Sequence, residues 1–420
     1  MDFIPEHAPR RILFVTRIPP KKQGHGGSQR ALHLLNGLLL LGTVDVLYVH
    51  APGDKDASND ALEEARELAE HAIQLALSDW IQPNERWPWL SWKAAQAMYI
   101  ATGTCHEAPR LPAAALRRIQ HALPRQDYDI VVAGRLPCAV IVDAMLDQGL
   151  IRTRSKIVDL DDIMSRFKER ELITEGPRQG KLWSLALRAD IRRVRRAEAQ
   201  VVRSWDAASL CSHDDVELLR QTYPDATVTR VPNVIDRPLL PVNADATGRR
   251  LLFVGSLAFR ANVAGLRAFV DEAWPRIRDK LPDARLDVVG MLPPEGLKEE
   301  MASVGIDVHA NVPSVEPFYR EADIVISPIL FGGGTRIKIL EAMAYGRPIV
   351  STAIGAEGLE LETGRHALVV ETMAEFAEAV VLLSTDAALR AAIAADALVL
   401  QHREYGPAAL ERALHDMAAG

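Results

Sequence analysis

Along the chain, short apolar runs alternate with stretches whose apolar positions recur every three to four residues. Residues 12–16, 44–49, 130–133, 157–160 and 207–211 are such runs in the first half, and 251–255, 286–289, 306–309, 324–327, 349–352 and 367–370 in the second. Runs this short, mostly apolar and separated by helical stretches, predict parallel strands buried on both faces under helices. Residues 229–250 interrupt the pattern with Pro232, Pro238 and Pro241, and the same grammar restarts at Leu251. The pattern therefore predicts two α/β domains: 1–235, a linker at 236–250, and 251–400. From residue 373 onward the chain is alanine-rich and helical in spacing, and 401–420 is expected to form a helix that packs back on the first domain.

Composition changes this picture little. At 420 residues and 48% apolar content the chain can bury large cores, which favours two or more domains over one. A net charge of −7 argues against nucleic acid as a main partner, because no overall positive field would hold phosphates. Cys105, Cys138 and Cys211 are scattered singly and fit neither a disulfide framework nor a metal cluster; twelve histidines lie without ligand spacing, so no metal is expected. Residues 1–10 are polar and lack a secretory signal, and the apolar stretch 31–49 carries His33, Asn36, Gly42 and Asp45, so helix and strand explain it better than a membrane span. A cytoplasmic protein is the expectation.

The most chemically pointed segment is Phe331-Gly-Gly-Gly-Thr-Arg-Ile-Lys-Ile-Leu-Glu-Ala-Met-Ala-Tyr-Gly346. Its glycines expose backbone N–H groups where a helix begins, and Arg336, Lys338 and Glu341 follow within two turns. Anionic oxygens would meet amides, a helix N-terminus and cations together, and a carboxylate would be at hand for hydroxyls. Glycine turns that only let a helix pack on a sheet are as common, but Glu341 sits among apolar positions, where a lone carboxylate is costly. A second glycine loop, Gly24 to Gly27, follows the first strand and opens a helix, where doubly wound sheets bind ligands; its spacing does not fit the dinucleotide fingerprint.

Taken together, Gly255 after a strand, Val231-Pro-Asn-Val-Ile-Asp236, the Gly332 to Glu341 block with Ala-Met-Ala-Tyr-Gly-Arg-Pro-Ile-Val-Ser-Thr, and Gly355-Ala-Glu-Gly358 resemble family 4 glycosyltransferases. The resemblance implies a GT-B fold, two Rossmann-like domains facing across a cleft, with a nucleotide-sugar donor held mainly by the second and a hydroxyl acceptor mainly by the first. It implies that Glu341 accepts the ribose hydroxyls, that Gly334 and Thr335 offer amides near the diphosphate, and that Arg260, Lys338 and Arg336 face phosphate oxygens with Asn262 in support. The loop at 311–314, with Val312, resembles the base-binding loop, and Gly26 and Gly27 the loop that approaches the donor from the first domain. The family often has a glutamate eight positions before Glu341; Gly333 stands there instead, so the sugar is left open.

After the strand at 130–133, where many members place a histidine, stand Gly134 and Arg135; Arg135 contacts phosphate or acceptor, or forms an ordinary ion pair. Asp161 or Asp162, in Asp159-Leu-Asp-Asp162, orients an acceptor hydroxyl or caps the helix that follows. The pattern Val158-Asp-Leu-Asp-Asp-Ile-Met-Ser165 is similar to a branch associated with bacterial exopolysaccharide export. Between Lys181 and Arg203 a basic amphipathic helix, with Trp183, Leu187 and Ile191 among Arg188, Arg192 and Arg196, offers peripheral contact with the inner face of a membrane, or is a solvated helix face. Trp87, Trp89 and Trp92 mark either an acceptor-facing loop or a packed insert.

The expected activity is metal-independent, cofactor-free transfer of a sugar, with retention, from a UDP- or GDP-linked donor to a glycan, lipid-linked or small-molecule hydroxyl. Lys338, Arg260 and Asp162 would be its catalytic groups. A nucleotide-sugar epimerase and a catalytically silent nucleotide-sugar-binding partner in an envelope assembly are the alternatives.

Overall fold

The computed structural model describes residues 9–22, 26–50, 60–77, 107–109, 111–236 and 246–419, with side chains to residue 413. Gly24, Cys105, the Trp87 to Trp92 run and residues 237–245 of the expected linker lie outside the described residues.

Two wholly parallel sheets organise the chain. The first contains β1 (Arg10–Thr16), β2 (Gly42–His50), β3 (His71–Ala76), β4 (Asp127–Gly134), β5 (Arg152–Asp161), β6 (Ala207–Leu210) and β7 (Val228–Arg230), in the order β3-β2-β1-β4-β5-β6-β7. The second contains β8 (Arg250–Val254), β9 (Arg285–Gly290), β10 (Asp307–Ala310), β11 (Ile324–Ser327), β12 (Ile349–Thr352) and β13 (Leu368–Val370), in the order β10-β9-β8-β11-β12-β13. In each sheet the order reverses beside its first strand, between β1 and β4 and between β8 and β11. That is where doubly wound sheets open a crevice at the strands' carboxyl ends.

The apolar runs become strands because both of their faces are covered. Leu13, Val15, Val131 and Val158 are fully buried in the first core, and Leu252, Val325 and Ile349 in the second. Local chemistry sets helix starts where the sequence supplies it: Thr372 and Glu375 form a capping box at Met373–Thr385, and the Ser212 hydroxyl accepts the Asp215 N–H at His213–Thr222.

The chain divides into two compact units, 1–231 with 411–420, and 232–410. Residues 232–236 go with the second unit for a physical reason. Ile235 packs in its core and donates its N–H to the Tyr405 carbonyl at 2.9 Å. The tail is two helices rather than one at 401–420: Ala387–Tyr405 ends with Tyr405 fully buried in the second core, and Pro407–Ala419 follows. Thr229 and Arg230, where the proline-bearing interruption of the pattern begins, form the edge strand β7.

The helix Lys181–Ser204 exists, but its apolar side is not available to lipid. Trp183, Leu187 and Ile191 are buried against Leu172 of the preceding helix, Met164–Gln179, and Val194, Val201 and Val202 against the first core. No helix among the described residues is long and apolar enough to cross a membrane.

Candidate functional site

In the second unit the site starts from Gly255, immediately after β8. A side chain here would place its Cβ 2.8 Å from Asn262 Nδ2 and 2.9 Å from Lys338 Nζ, so glycine is what lets those two groups meet. Lys338 Nζ donates to Asn262 Oδ1 at 2.8 Å and lies 4.1 Å from the centroid of the Phe253 ring, while Asn262 Nδ2 donates to the Ser256 carbonyl at 2.9 Å. The ammonium is thereby held by one amide and one ring face, a weak set of partners for a buried charge. Burial first, then Arg336, hold its pKa well below the ordinary lysine value, with Glu341 acting the other way.

Glu341 lies one turn further along the helix Ile337–Ala344 and is 5% exposed. The Tyr319 hydroxyl approaches its Oε2 at 3.1 Å and the Lys338 carbonyl at 3.2 Å, and Tyr319 stacks on Tyr345 with ring centroids 4.8 Å apart. The glycine loop before this helix is folded by its own arginine. Arg336 donates to the Gly333 carbonyl, to the Gly334 carbonyl at 3.2 Å and to the Ile354 carbonyl at 3.3 Å. Gly332 (φ 150°) and Gly334 (φ 65°) hold left-handed backbone, which a side chain would strain. Thr335 is fixed by Asn233, whose Nδ2 donates to its hydroxyl at 2.8 Å.

Arg260, exposed, is the first residue of the helix Arg260–Ala268 that carries Asn262. Val312 is half-buried against the second core; beside it Asn311, at φ 56°, accepts the Leu292 N–H at 3.0 Å. The contacts thus join Gly255, Asn262, Lys338 and Glu341 into one cluster at the carboxyl side of the second sheet, with Arg336 shaping the adjacent loop.

Gly26, Gly27, Arg135, Asp161 and Asp162 belong to the first unit, where a buried charge network has formed. Gly26 and Gly27 open the helix Gly26–Leu39. From the start of its second turn Arg30, 5% exposed, donates to both oxygens of Asp159 at 2.8 and 2.5 Å and to the Val231 carbonyl at 3.0 Å. Ser209 donates to the same carboxylate at 2.7 Å. Asp161 lies 3.4 Å from Arg30 and also pairs with Arg135, which reaches Asp162 at 4.0 Å. Burial alone would lower the pKa of Arg30; Asp159 and Asp161 outweigh it and raise it. Arg135 is raised by Asp161, Asp162 and Asp159 against the same desolvation. Both Arg135 (φ 74°) and Asp161 (φ 64°) sit in left-handed backbone, a conformation that costs energy outside glycine.

Arg135 is therefore ion-paired, and neither Asp161 nor Asp162 caps the next helix, whose N-cap is Ile163 without a side-chain bond. Arg30, Tyr319 and Asn233 were not singled out by sequence. Arg30 alone left a signal, since a cation among the buried positions of a helix demands a carboxylate.

Among the described residues Asp45, Glu70 and His71 have metal-ligand proximity. The Arg125 guanidinium stands 3.1 Å from Asp45 and 2.7 Å from Glu70, so the cluster already holds a cation.

A family model described as "Glycosyl transferases group 1" matches residues 248–386. A Klebsiella pneumoniae protein described as an uncharacterized 44.6 kDa protein in the cps region is 26% identical over 140 residues, 31% of this chain and 36% of that protein. The match thus spans about a third of that relative's length. Among solved structures, sucrose-phosphate synthase from Thermosynechococcus elongatus superposes with a TM-score of 0.68 at 13% identity, covering 98% of each chain. Anabaena HepE in complex with UDP-glucose gives 0.61 at 13% identity, covering 98% of this chain and 99% of its own. These likenesses, with the two parallel sheets, establish a GT-B fold whose second unit is similar to group 1 glycosyltransferases.

Proposed function

We propose that this protein is a glycosyltransferase that takes a hexosyl group from a UDP-linked sugar and places it on a hydroxyl acceptor, with retention of configuration and without a metal, in polysaccharide or other glycoconjugate synthesis. The observation that carries the proposal is the Gly255, Asn262, Lys338 and Glu341 cluster, inside the region that matches group 1 glycosyltransferases. The UDP-glucose in the Anabaena neighbour supports uracil as the base.

In this reading the buried Lys338 has too few partners for its charge until a diphosphate supplies them. Its ammonium, with Arg260 and the amides of Gly334 and Thr335, would meet negative charge as it develops on the departing diphosphate, where electrostatic stabilisation acts most strongly. Glu341, held by Tyr319, would accept from ribose hydroxyls. No side-chain nucleophile is required: an oxygen of the leaving phosphate takes the acceptor proton on the face the acceptor enters, and the bond from the anomeric carbon to the leaving oxygen breaks as the new one forms. Arg135, Asp161 and Asp162 would orient the acceptor.

Calorimetric titration with UDP, GDP, ADP and their sugar conjugates in EDTA tests the site. Selective uridine binding, weakened at least tenfold by Glu341→Ala and by Lys338→Met, is expected. Binding that survives both substitutions unchanged would sink the assignment of these residues, and sugar nucleotide consumed without any acceptor would point to epimerisation instead.

A further inference from the structure

The helix Lys181–Ser204 buries every acid it contains. Asp190 and Glu198 are 4% and 5% exposed; Asp190 pairs with Lys168 at 2.9 Å, and Glu198 accepts the Ser165 N–H at 2.9 Å. What remains outside is cationic. Lys181, Arg188, Arg192, Arg195, Arg196 and Arg203 are all exposed, and at 3.6 residues per turn they fall within an arc of about 100° along about 33 Å of helix. Arg195 pairs with Glu169, and Arg203 lies over the Tyr223 ring. Lys181, Arg188, Arg192 and Arg196 make no ion pair among the described residues. On a chain of net charge −7, a stripe of one sign this long is not a random draw from the surface.

The end of the stripe is also apolar. Leu185 is 52% exposed on the same arc, and Ile173, on the neighbouring helix, is 76% exposed. Between the two helices an open cavity of about 400 Å³ is lined by Pro177, Lys181, Ser184, Leu185 and Arg188, a hydroxyl and two cations beside a leucine. Long cationic side chains with a few protruding aliphatic ones match an interface in which phosphates lie above acyl chains. A nucleic acid or other soluble polyanion would use the arginines and leave Leu185 and Ile173 without a role.

We propose that this outward face of Lys181–Ser204, not its buried apolar side, docks the first unit on an anionic lipid bilayer. The proposal is independent of the donor site. Each cation next to such a surface contributes about fivefold to partitioning, so Arg188→Gln/Arg192→Gln/Arg196→Gln together should reduce it by on the order of a hundredfold. The test is sedimentation of the full chain with vesicles of phosphatidylcholine alone or mixed with phosphatidylglycerol, at about 0.1 and 0.5 M salt.

Binding to the mixed vesicles only, released by salt, lost in the triple variant and weakened severalfold by Leu185→Ser, is the expected result. All the substituted positions are exposed, and unchanged melting curves would show that the variants fold; the salt response of the wild-type chain tests the idea without any variant. Absence of binding to the mixed vesicles, equal binding to neutral ones, or an undiminished triple variant would overturn it. So would dextran sulfate binding that matches vesicle binding and ignores Leu185→Ser, which would make the stripe a polyanion site.

Discussion

Replacing Arg30 by methionine removes the one cation that both oxygens of Asp159 share. Asp159 is 3% exposed, and without Arg30 its remaining described partner is the Ser209 hydroxyl at 2.7 Å; the Val231 carbonyl loses its donor as well. Breaking a buried pair from one side costs about 3–5 kcal/mol, because a charge is left in the interior. A unit of this size loses about 2–4 °C of melting temperature per kcal/mol, so Arg30→Met should lower the first unit's transition by roughly 6–20 °C. Removing both partners is different. Arg30→Met with Asp159→Asn leaves no stranded charge and should be clearly more stable than the sum of the two single losses, with a coupling of about 1–3 kcal/mol in a double-mutant cycle.

Heat denaturation of the four proteins measures both the single losses and the coupling. A loss below about 1 kcal/mol for Arg30→Met, or strict additivity in the cycle, would refute the reading that this pair anchors the helix behind the Gly26 loop.

Gly255→Val should abolish nucleotide binding while leaving the fold intact, since its side chain would enter the space of Asn262 Nδ2 and Lys338 Nζ; calorimetry and melting separate the two effects. Donor affinity should fall as pH rises: the protonated Lys338 binds, burial and Arg336 lower its pKa in the free protein, and a bound diphosphate raises it. Titrations in buffers of different ionisation heat should therefore detect proton uptake from the free-protein pKa up to the bound one. The same depression means that the free protein gains stability as pH climbs from the folded-state pKa of Lys338 to its unfolded value, because the unfolded lysine holds its proton longer. Glu198 is raised by burial, against its bonds from Ser165 and the charge of Arg195. Above the unfolded carboxyl pKa the wild-type chain should lose stability with rising pH relative to Glu198→Gln, the gap levelling off beyond the folded pKa.

The central strands were legible because burial on both faces leaves a mostly apolar run within each of β1, β4, β5, β8, β11 and β12. The edge strands of the first sheet were not. β3, His71–Ala76, is half-buried and mixed in character, and β7, Val228–Arg230, is three residues long, so neither stands out from a loop. In the second unit the residues that gather at Lys338 lie in local motifs and could be read there. In the first unit Arg30 and Asp159 are 129 positions apart, and only the sheet brings them together. Tyr319 sits on a six-residue helix, Glu316–Glu321, whose spacing carries no hint of the carboxylate it holds.

Strand order also sets a timetable for the growing chain. β1 can pair with β2 soon after it is made, but its other edge waits for β4, about 118 positions later, or roughly 6–24 s at ordinary elongation rates of about 5–20 residues per second. β8 waits in the same way for β11, about 73 positions on, roughly 4–15 s. During each interval a largely apolar strand shows an open row of N–H and C=O groups to whatever is nearby. Synonymous codons that slow translation between β1 and β4 would lengthen that exposure, and with it the demand for chaperones, without changing a single residue of the finished protein.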